Sequence, residues 1–418
     1  MMTDPPQDAR SDSDRKHIVW VYPGDLRATI NSAPTLRITS SLRNTGWRVD
    51  LLVGGRFAKT RATDIGGIAV CEIPLPDVFL VKQVVYHAWV LRYVLREWST
   101  IDVVFFASMS LPWMLLLRAI PLLRSRAVYG HPCRPSGTRP LFVMDTRTMP
   151  MTRSTPRDNV RGLYTDAMNW LANWLVDGQT TITPAMAEAY HIPSSKLLGC
   201  WPSGVDVDLF SRSIQTRRWP PGDESIEIVY IGTLSPERDI VRLCEAVREA
   251  HLEGMSFRLS LIGDGPDTER LSAVAADSDG AVRMMGRMPH EKMPALIATM
   301  HVGALPFPDR VEFQVSSPIK LFEYMAAGMP VLATRVRCHT DVVGDRPCVF
   351  WAQDSSQEAL LAALRRLWSD RSLLPDYGSV AAEVAKDCTW AASAERLAQA
   401  LQRGLARAGF RNSRIGPS

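Results

Sequence analysis

The chain has 418 residues, too many for one comfortable hydrophobic core and well suited to two domains of ordinary size. Apolar residues make up 46% and charged residues 22%, ordinary globular proportions that confine expected disorder to the two ends, residues 1–16 and 411–418. The net charge of +4 is modest, and no zinc or repeat signature accompanies the basic stretches, so nucleic acid is excluded as the expected partner.

Taken in chain order, the first residues are polar and lack the basic-then-apolar layout of a secretory leader. Residues 17–22 are a β-branched run, 31–44 have helical periodicity, and 48–53 are strand-like again after Gly46, a βαβ unit that requires a parallel sheet. Pro23-Gly24-Asp25 follows the first strand and reads either as a plain turn or as part of the sheet edge where ligands bind. Residues 82–98 place Tyr86, Trp89, Tyr93 and Trp98 among Arg92 and Arg96, a pattern with two readings: contact with an anionic membrane, or an amphipathic helix on its own sheet. Between Lys82 and Arg161, twelve lysines and arginines face only Glu97, Asp102, Asp145 and Asp158, so this half carries a basic surface.

Residues 102–107 and 140–144 are further buried-strand candidates on either side of an apolar helix that starts near Pro112. The apolar run 111–123 is interrupted by Arg118 and Pro121 and is too short to cross a bilayer as a helix. His131 is a cleft candidate, weighed against a satisfied structural histidine. The seven cysteines, scattered and never closer than ten residues, indicate neither a disulfide framework nor a zinc knuckle and read as reduced thiols in a cytosolic protein.

Residues 211–224 are polar and Pro-rich, like a linker, and a second strand-helix series follows. Its strands are 226–231, 257–262, 302–306 and 331–334, with helices at 241–250, 268–276 and 319–327 and a last helix at 390–408. The organisation is α/β: two Rossmann-like domains, 17–205 and 206–385, facing each other across a cleft, with ligands expected at the carboxyl ends of strands.

At those ends the second half is informative. Gly232 follows a strand, lets a ligand approach the backbone, and precedes Arg238 and a helix start, a layout suited to a diphosphate or to a plain strand-helix turn. Gly263-Asp264-Gly265-Pro266 is a turn by composition, of interest because it follows a buried strand. Ser317 and Pro318 start a helix on which Lys320 and Glu323 share a face. That pair reads either as a surface ion pair or as a carboxylate for the two ribose hydroxyls beside a phosphate-binding lysine.

Residues 228–332 resemble the donor-binding domain of the retaining GT-B glycosyltransferases of the family-4 type. The matching pieces are Gly-x-Leu-x-x-Glu-Arg from Gly232 to Arg238, Gly263-Asp264-Gly265-Pro266, Gly286-Arg287-Met288-Pro289, and Lys-Leu-Phe-Glu-Tyr-Met-Ala-Ala-Gly-x-Pro-Val from Lys320. Ser203-Gly204-Val205-Asp206 with Phe210 is similar to the family's junction between domains, and the first half resembles the family in layout alone. The resemblance implies that Arg238 neutralises the donor diphosphate, Glu323 binds the ribose, and the backbone at Arg287 and Met288 meets the base. Gly232, Thr233, Gly263, Asp264, Gly265, Ser317, Pro318 and Leu321 complete the implied donor site.

The sequence departs from the family at Thr233, where an arginine is usual, and at Val315, where the first of two glutamates is usual. The Ser-Pro-x-Lys form at 317–320 resembles a bacterial subgroup that extends lipid-linked oligosaccharides, which implies donor contacts from Ser317 and Lys320. Asp145-Thr146-Arg147 is similar to a signature of that subgroup, which implies that Arg147 reaches the leaving phosphate or the acceptor with Asp145 orienting it; a structural Asp-Arg pair is the alternative. The resemblance further implies hexosyl transfer with retention from a nucleotide-sugar donor to a sugar or lipid-linked sugar, no metal or other cofactor, and a helix at 386–410 returning to the first domain. Polysaccharide or glycolipid assembly follows as the expected setting, in the cytoplasm and peripheral at the inner face of the plasma membrane. Two other readings stay open: a nucleotide-sugar-binding protein that has lost catalysis, and a GT-B nucleotide-sugar epimerase.

Overall fold

The computed structural model describes residues 15–26, 32–55, 60–65, 67–119, 139–151, 155–220, 222 and 224–413. His131, Cys133, Arg124, Arg126, Arg134 and Arg153 lie outside the described residues, as do most of both predicted tails. The chain divides into two compact units at 147/148, 158/159, 201/202 and 392/393, so that 148–158 and 202–392 form the second unit.

The first unit is built on one sheet: β1 (Lys16–Tyr22), β2 (Trp47–Gly55), β3 (Arg61–Ile65), β4 (Ile68–Pro74), β5 (Val103–Ala107), β6 (Leu141–Thr146), β7 (Gly178–Thr181) and β8 (Leu197–Cys200). Their order is β3-β4-β2-β1-β5-β6-β7-β8, parallel except where β3 pairs antiparallel with β4 at the edge. Ile18, Val19 and Val21 of β1 are all at most 2% exposed, as befits a central parallel strand covered by helices on both faces. Strand β7 reads Gly-Gln-Thr-Thr and would not pass as a core strand by composition. Gln179, Thr180 and Thr181 are nonetheless fully buried, with Thr180 and Thr181 bonding through their hydroxyls.

The second sheet contains β9 (Ile226–Ile231), β10 (Phe257–Ile262), β11 (Val282–Gly286), β12 (Val302–Leu305), β13 (Val331–Thr334) and β14 (Val349–Ala352). All its pairs are parallel and the order is β11-β10-β9-β12-β13-β14. The chain starts in the middle, winds outward to β11, then returns past β9 to continue on the other side. The loops leaving β9 and β12 therefore diverge, which opens a crevice at their carboxyl ends.

The linker expected at 211–224 is in part a structural element. Residues up to Thr216 belong to the helix Val207–Thr216, capped by the Asp206 carboxylate on the Leu209 N–H, and Phe210 and Ser213 are buried. Arg217 is 7% exposed, and its guanidinium donates to the carbonyls of Met300, Ala327, Gly328 and Ile297 at 2.6 to 3.1 Å. Two helix C-termini, those of Met293–Ile297 and Ile319–Ala326, are thereby closed by one cation, and burial pushes that cation's pKa down to about 10. By sequence this arginine falls in the stretch read as linker-like, because its neighbours are polar.

The last helix, Trp390–Ser413, joins the first unit from Ser393 onward, where Arg403 donates to the Leu198 carbonyl at 2.9 Å and Gly404 lies against Leu141 and Leu198. Among the described residues no helix is long and apolar enough to cross a membrane.

Candidate functional site

The loops leaving β9 and β10 are packed backbone on backbone. Gly232 N–H donates to the Ile262 carbonyl at 3.0 Å, Leu234 N–H to the Asp264 carbonyl at 2.9 Å, and Asp267 N–H to the Leu234 carbonyl at 3.0 Å. A Cβ at Gly263 would stand 1.8 Å from the Gly232 oxygen, and one at Gly265 would stand 2.2 Å from the Leu234 oxygen. The Gly-x-Gly pattern is therefore required by the approach of two loops, before any ligand is considered. Asp264 and Thr233 are exposed beside them, and Gly263 N–H reaches the Gly286 carbonyl at 3.0 Å, which sets Arg287 and Met288 next in line along the same edge.

Arg238 ends the short 3-10 turn Pro236–Arg238, and the helix proper begins at Ile240, so the arginine precedes the helix. Its guanidinium carbon lies 5.3 Å from the Phe307 ring centre and 5.9 Å from that of Phe313. It also bonds the Tyr230 hydroxyl, whose pKa is raised by burial and eased back by this cation. No carboxylate pairs with Arg238 among the described residues. Tyr230, Phe307 and Phe313 had not been singled out in the sequence. Phe307 stood in reach of the strand-end rule, since it follows β12 by two residues. Thr334, at the end of β13, donates its hydroxyl to the Phe307 carbonyl at 2.6 Å, and the ring also meets the fully buried His339 at 5.3 Å. Burial lowers the His339 pKa to about 4, so its imidazole is neutral, with the Nδ1 hydrogen given to the Thr334 carbonyl at 2.9 Å.

The helix Ile319–Ala326 is tied to the same edge by Tyr324. The Tyr324 ring lies flat on Gly303 of β12, where a Cβ would come within 2.2 Å of it, and its hydroxyl accepts the Ile231 N–H at 2.9 Å. This seats Lys320 and Glu323 on the helix that leads toward the end of β9. Glu323 is 3% exposed, and its Oε2 is 2.5 Å from Lys320 Nζ. The pair is thus largely buried on the carboxylate side, unlike a solvated surface bridge.

Two expectations for this segment change, and the departure at Val315 is placed. Ser317 does not cap the helix; its hydroxyl accepts the Ser203 N–H at 3.0 Å, Pro318 holds the cap position, and no side chain caps the turn. Leu321 is fully buried in the core and its N–H is bonded to the Pro318 carbonyl, so it offers a ligand neither side chain nor donor. Val315 is 2% exposed in the same core, so no polar group stands at the position where the resemblance expects a glutamate.

Asp145 and Arg147 belong to the first unit. Strand β6 runs on through Thr146, so Asp145 lies inside a strand rather than in the loop expected after 144. Its Oδ1 accepts from the Thr180 hydroxyl at 2.6 Å and from the Trp201 indole at 2.9 Å. Arg147 donates to the Trp201 carbonyl at 3.0 Å and stacks 3.5 Å above that ring. Burial raises the Asp145 pKa to about 6, against the pull of Arg147, Thr180 and Trp201, and lowers that of Arg147 to about 10. This is the geometry of the structural alternative, with both side chains engaged on Trp201.

Of the two readings of residues 82–98, the aromatic rings follow that of an amphipathic helix packed on its own sheet. Tyr86 is fully buried and donates to the Leu52 carbonyl at 2.8 Å, Tyr93 donates to Asp50 at 2.7 Å, and Trp89 stacks on Tyr93. Apolar residues that do reach the surface of helix Phe79–Arg96 lie at its start, among them Leu80, Val81 and Val84. Among the described residues no group of three His, Cys, Asp or Glu is placed to hold a metal ion.

Residues 225–370 match the family described as glycosyl transferases group 1. WcaL of Salmonella typhimurium, named for colanic acid biosynthesis, is 27% identical over 150 residues, 33% of this chain and 36% of that protein. The aligned part therefore spans about a third of the curated relative's length. Among solved structures, sucrose-phosphate synthase from Thermosynechococcus elongatus superposes with a TM-score of 0.69 at 15% identity, over 94% of this chain and 100% of the other. HepE of Anabaena, crystallised with UDP, gives a TM-score of 0.66 at 13% identity, over 93% of this chain and 99% of the other. The architecture is that of the two-domain GT-B fold.

Proposed function

We propose that the chain is a glycosyltransferase that moves a hexosyl group from a nucleotide-sugar donor to an acceptor hydroxyl with retention of configuration. Arg238 carries the reading: a half-buried guanidinium at the carboxyl edge of β9, held by two phenylalanine rings and a tyrosine hydroxyl, with no carboxylate to neutralise it among the described residues. A half-buried guanidinium with no carboxylate beside it presents its donors to an incoming anion. Glu323 then accepts the ribose hydroxyls in place of Lys320, and the freed ammonium turns to the phosphates.

As the bond from the anomeric carbon to the phosphate oxygen breaks, negative charge grows on the diphosphate, and Arg238 and Lys320 stabilise it from fixed positions. The acceptor hydroxyl attacks from the same face, and the departing phosphate oxygen takes its proton. The backbone at Arg287 and Met288 meets the base, and the UDP bound by HepE supports a uridine donor. The naming of WcaL for colanic acid supports polysaccharide or glycolipid assembly, with a sugar or lipid-linked sugar as acceptor at the cytoplasmic face of the membrane.

A second reading rests on Val315: with that position buried in the core, the chain binds a nucleotide sugar without transferring it. One experiment separates the two. Melting curves with UDP, GDP, ADP and their sugar conjugates should show one nucleotide stabilising the protein by about 2.7 kcal/mol at a hundred times its dissociation constant, and Glu323→Ala should remove that gain. Radiolabelled donor should then be consumed by the unaltered chain. Binding without consumption selects the second reading, and an undiminished gain in Glu323→Ala overturns the site.

A further inference from the structure

The first unit's part of the helix Pro156–Leu175 carries apolar side chains on the face that a solvated helix keeps polar. Val160, Leu163, Trp170 and Trp174 are 67, 65, 62 and 70% exposed, and with exposed Ala167 they follow a 3-4-3-4 spacing, which sets them in one row. The opposite face is firmly seated, with Asn169 and Ala172 fully buried. Two further helices packed on the same core also expose apolar side chains. Leu80, Val81 and Val84 are exposed on Phe79–Arg96 and Leu116 on Leu111–Ala119, and all three helices share one core cluster against the sheet. Exposed indoles in a row of this breadth mark an interaction surface.

Charge indicates the partner. At the Trp174 end, Lys196 donates to the carbonyls of Trp174 and Val176, Arg118 reaches the Leu175 carbonyl, and Arg139 pairs with Asp177. Arg161 is exposed at the other end. Arg157 is exposed there too, and against these five cations stand Asp158, Asp166 and Asp177, the last paired with both Arg118 and Arg139. We infer that this row lies on an anionic lipid surface, with Trp170 and Trp174 at headgroup level and the cations on lipid phosphates. A second copy of the chain is the competing occupant, and charge disfavours it: in a two-fold pair the patch meets itself, so the cations would oppose their own counterparts.

The inference deepens the membrane-proximal part of the proposed function, yet its test reads no turnover, so the two stand or fall separately. The full chain is sedimented with vesicles of phosphatidylcholine alone and of phosphatidylcholine with phosphatidylglycerol. Binding is expected to the anionic vesicles and to weaken with salt. Trp170→Gln with Trp174→Gln should lower it about tenfold, and Arg161→Gln alone about fivefold, with melting temperatures unchanged because these side chains are exposed. Absence of binding to anionic vesicles overturns the inference, as does equal binding by the tryptophan variant. A concentration-dependent dimer that the tryptophan variant disperses would assign the row to a second copy.

Discussion

Arg147 directly follows β6, Arg238 comes seven residues after β9, and both guanidinium groups lie over aromatic rings. Their surroundings differ in one respect that decides their roles. Arg147 gives a hydrogen to the Trp201 carbonyl and shares that tryptophan with the buried Asp145, so its charge is balanced inside its own unit. Among the described residues Arg238 meets a phenol and two phenyl rings and no carboxylate, so its charge has no counter-charge there. An arginine at a strand end is therefore informative only once its counter-charge is located.

The sharpest way to break this comparison is to remove each guanidinium and measure both binding and stability. Arg238→Ala should weaken binding of the recognised nucleoside diphosphate by about a hundredfold, the scale of one charge-assisted contact to phosphate lost from a partly dry site, while the melting point without ligand stays within a few degrees. Calorimetric titration reads the first quantity, and equal affinity in the variant would return Arg238 to the ordinary turn that its local sequence permits. Arg147→Ala should show the opposite balance: a loss of about 2 kcal/mol in urea unfolding, from an uncompensated buried carboxylate and an unstacked indole, with nucleotide affinity nearly unchanged. A large loss of affinity there would restore the catalytic role implied by the resemblance.

The smallest effect sharpens the comparison through pH. The Asp145 pKa is raised to about 6 from an ordinary 3.8, so the folded state holds a proton that the unfolded state has released across that interval. Its contribution to stability is complete below about pH 4, declines as pH rises, and is gone above about pH 6. Asp145→Asn keeps an acceptor for Trp201 and removes the titration. The difference in unfolding free energy between the two proteins should slope between pH 4 and 6 and be flat above; a flat difference throughout would mean that Asp145 is ionised in the fold.

The second unit was legible because its signals are local. Strands 226–231, 257–262 and 331–334 end where their patterns end, and the run from Lys320 to Val331 announces helix, stop and strand within a dozen residues. What escaped notice depended on contacts between distant residues. Phe313 meets Arg238 across more than seventy positions, and Arg217 looks like one more polar residue until four carbonyls are brought to it. Strand β7, with no apolar residue, and the edge pair β3–β4 gave no usable alternation. In the helix after β4, the aromatic and basic residues left a membrane face and a sheet-packed face both open, and the tyrosine hydroxyls find partners inside, at Leu52 and Asp50.

The arginine that closes two helix ends also fixes where the second unit can be cut. The stretch matched by the family starts at 225, and a fragment begun there would lack Arg217 and leave bare the carbonyls of Ala327 and Gly328, directly behind the helix that holds Glu323. The second unit, prepared alone for crystals or screens, has to keep residues from Val207 onward, because the chain's entry into the unit serves as its fastening.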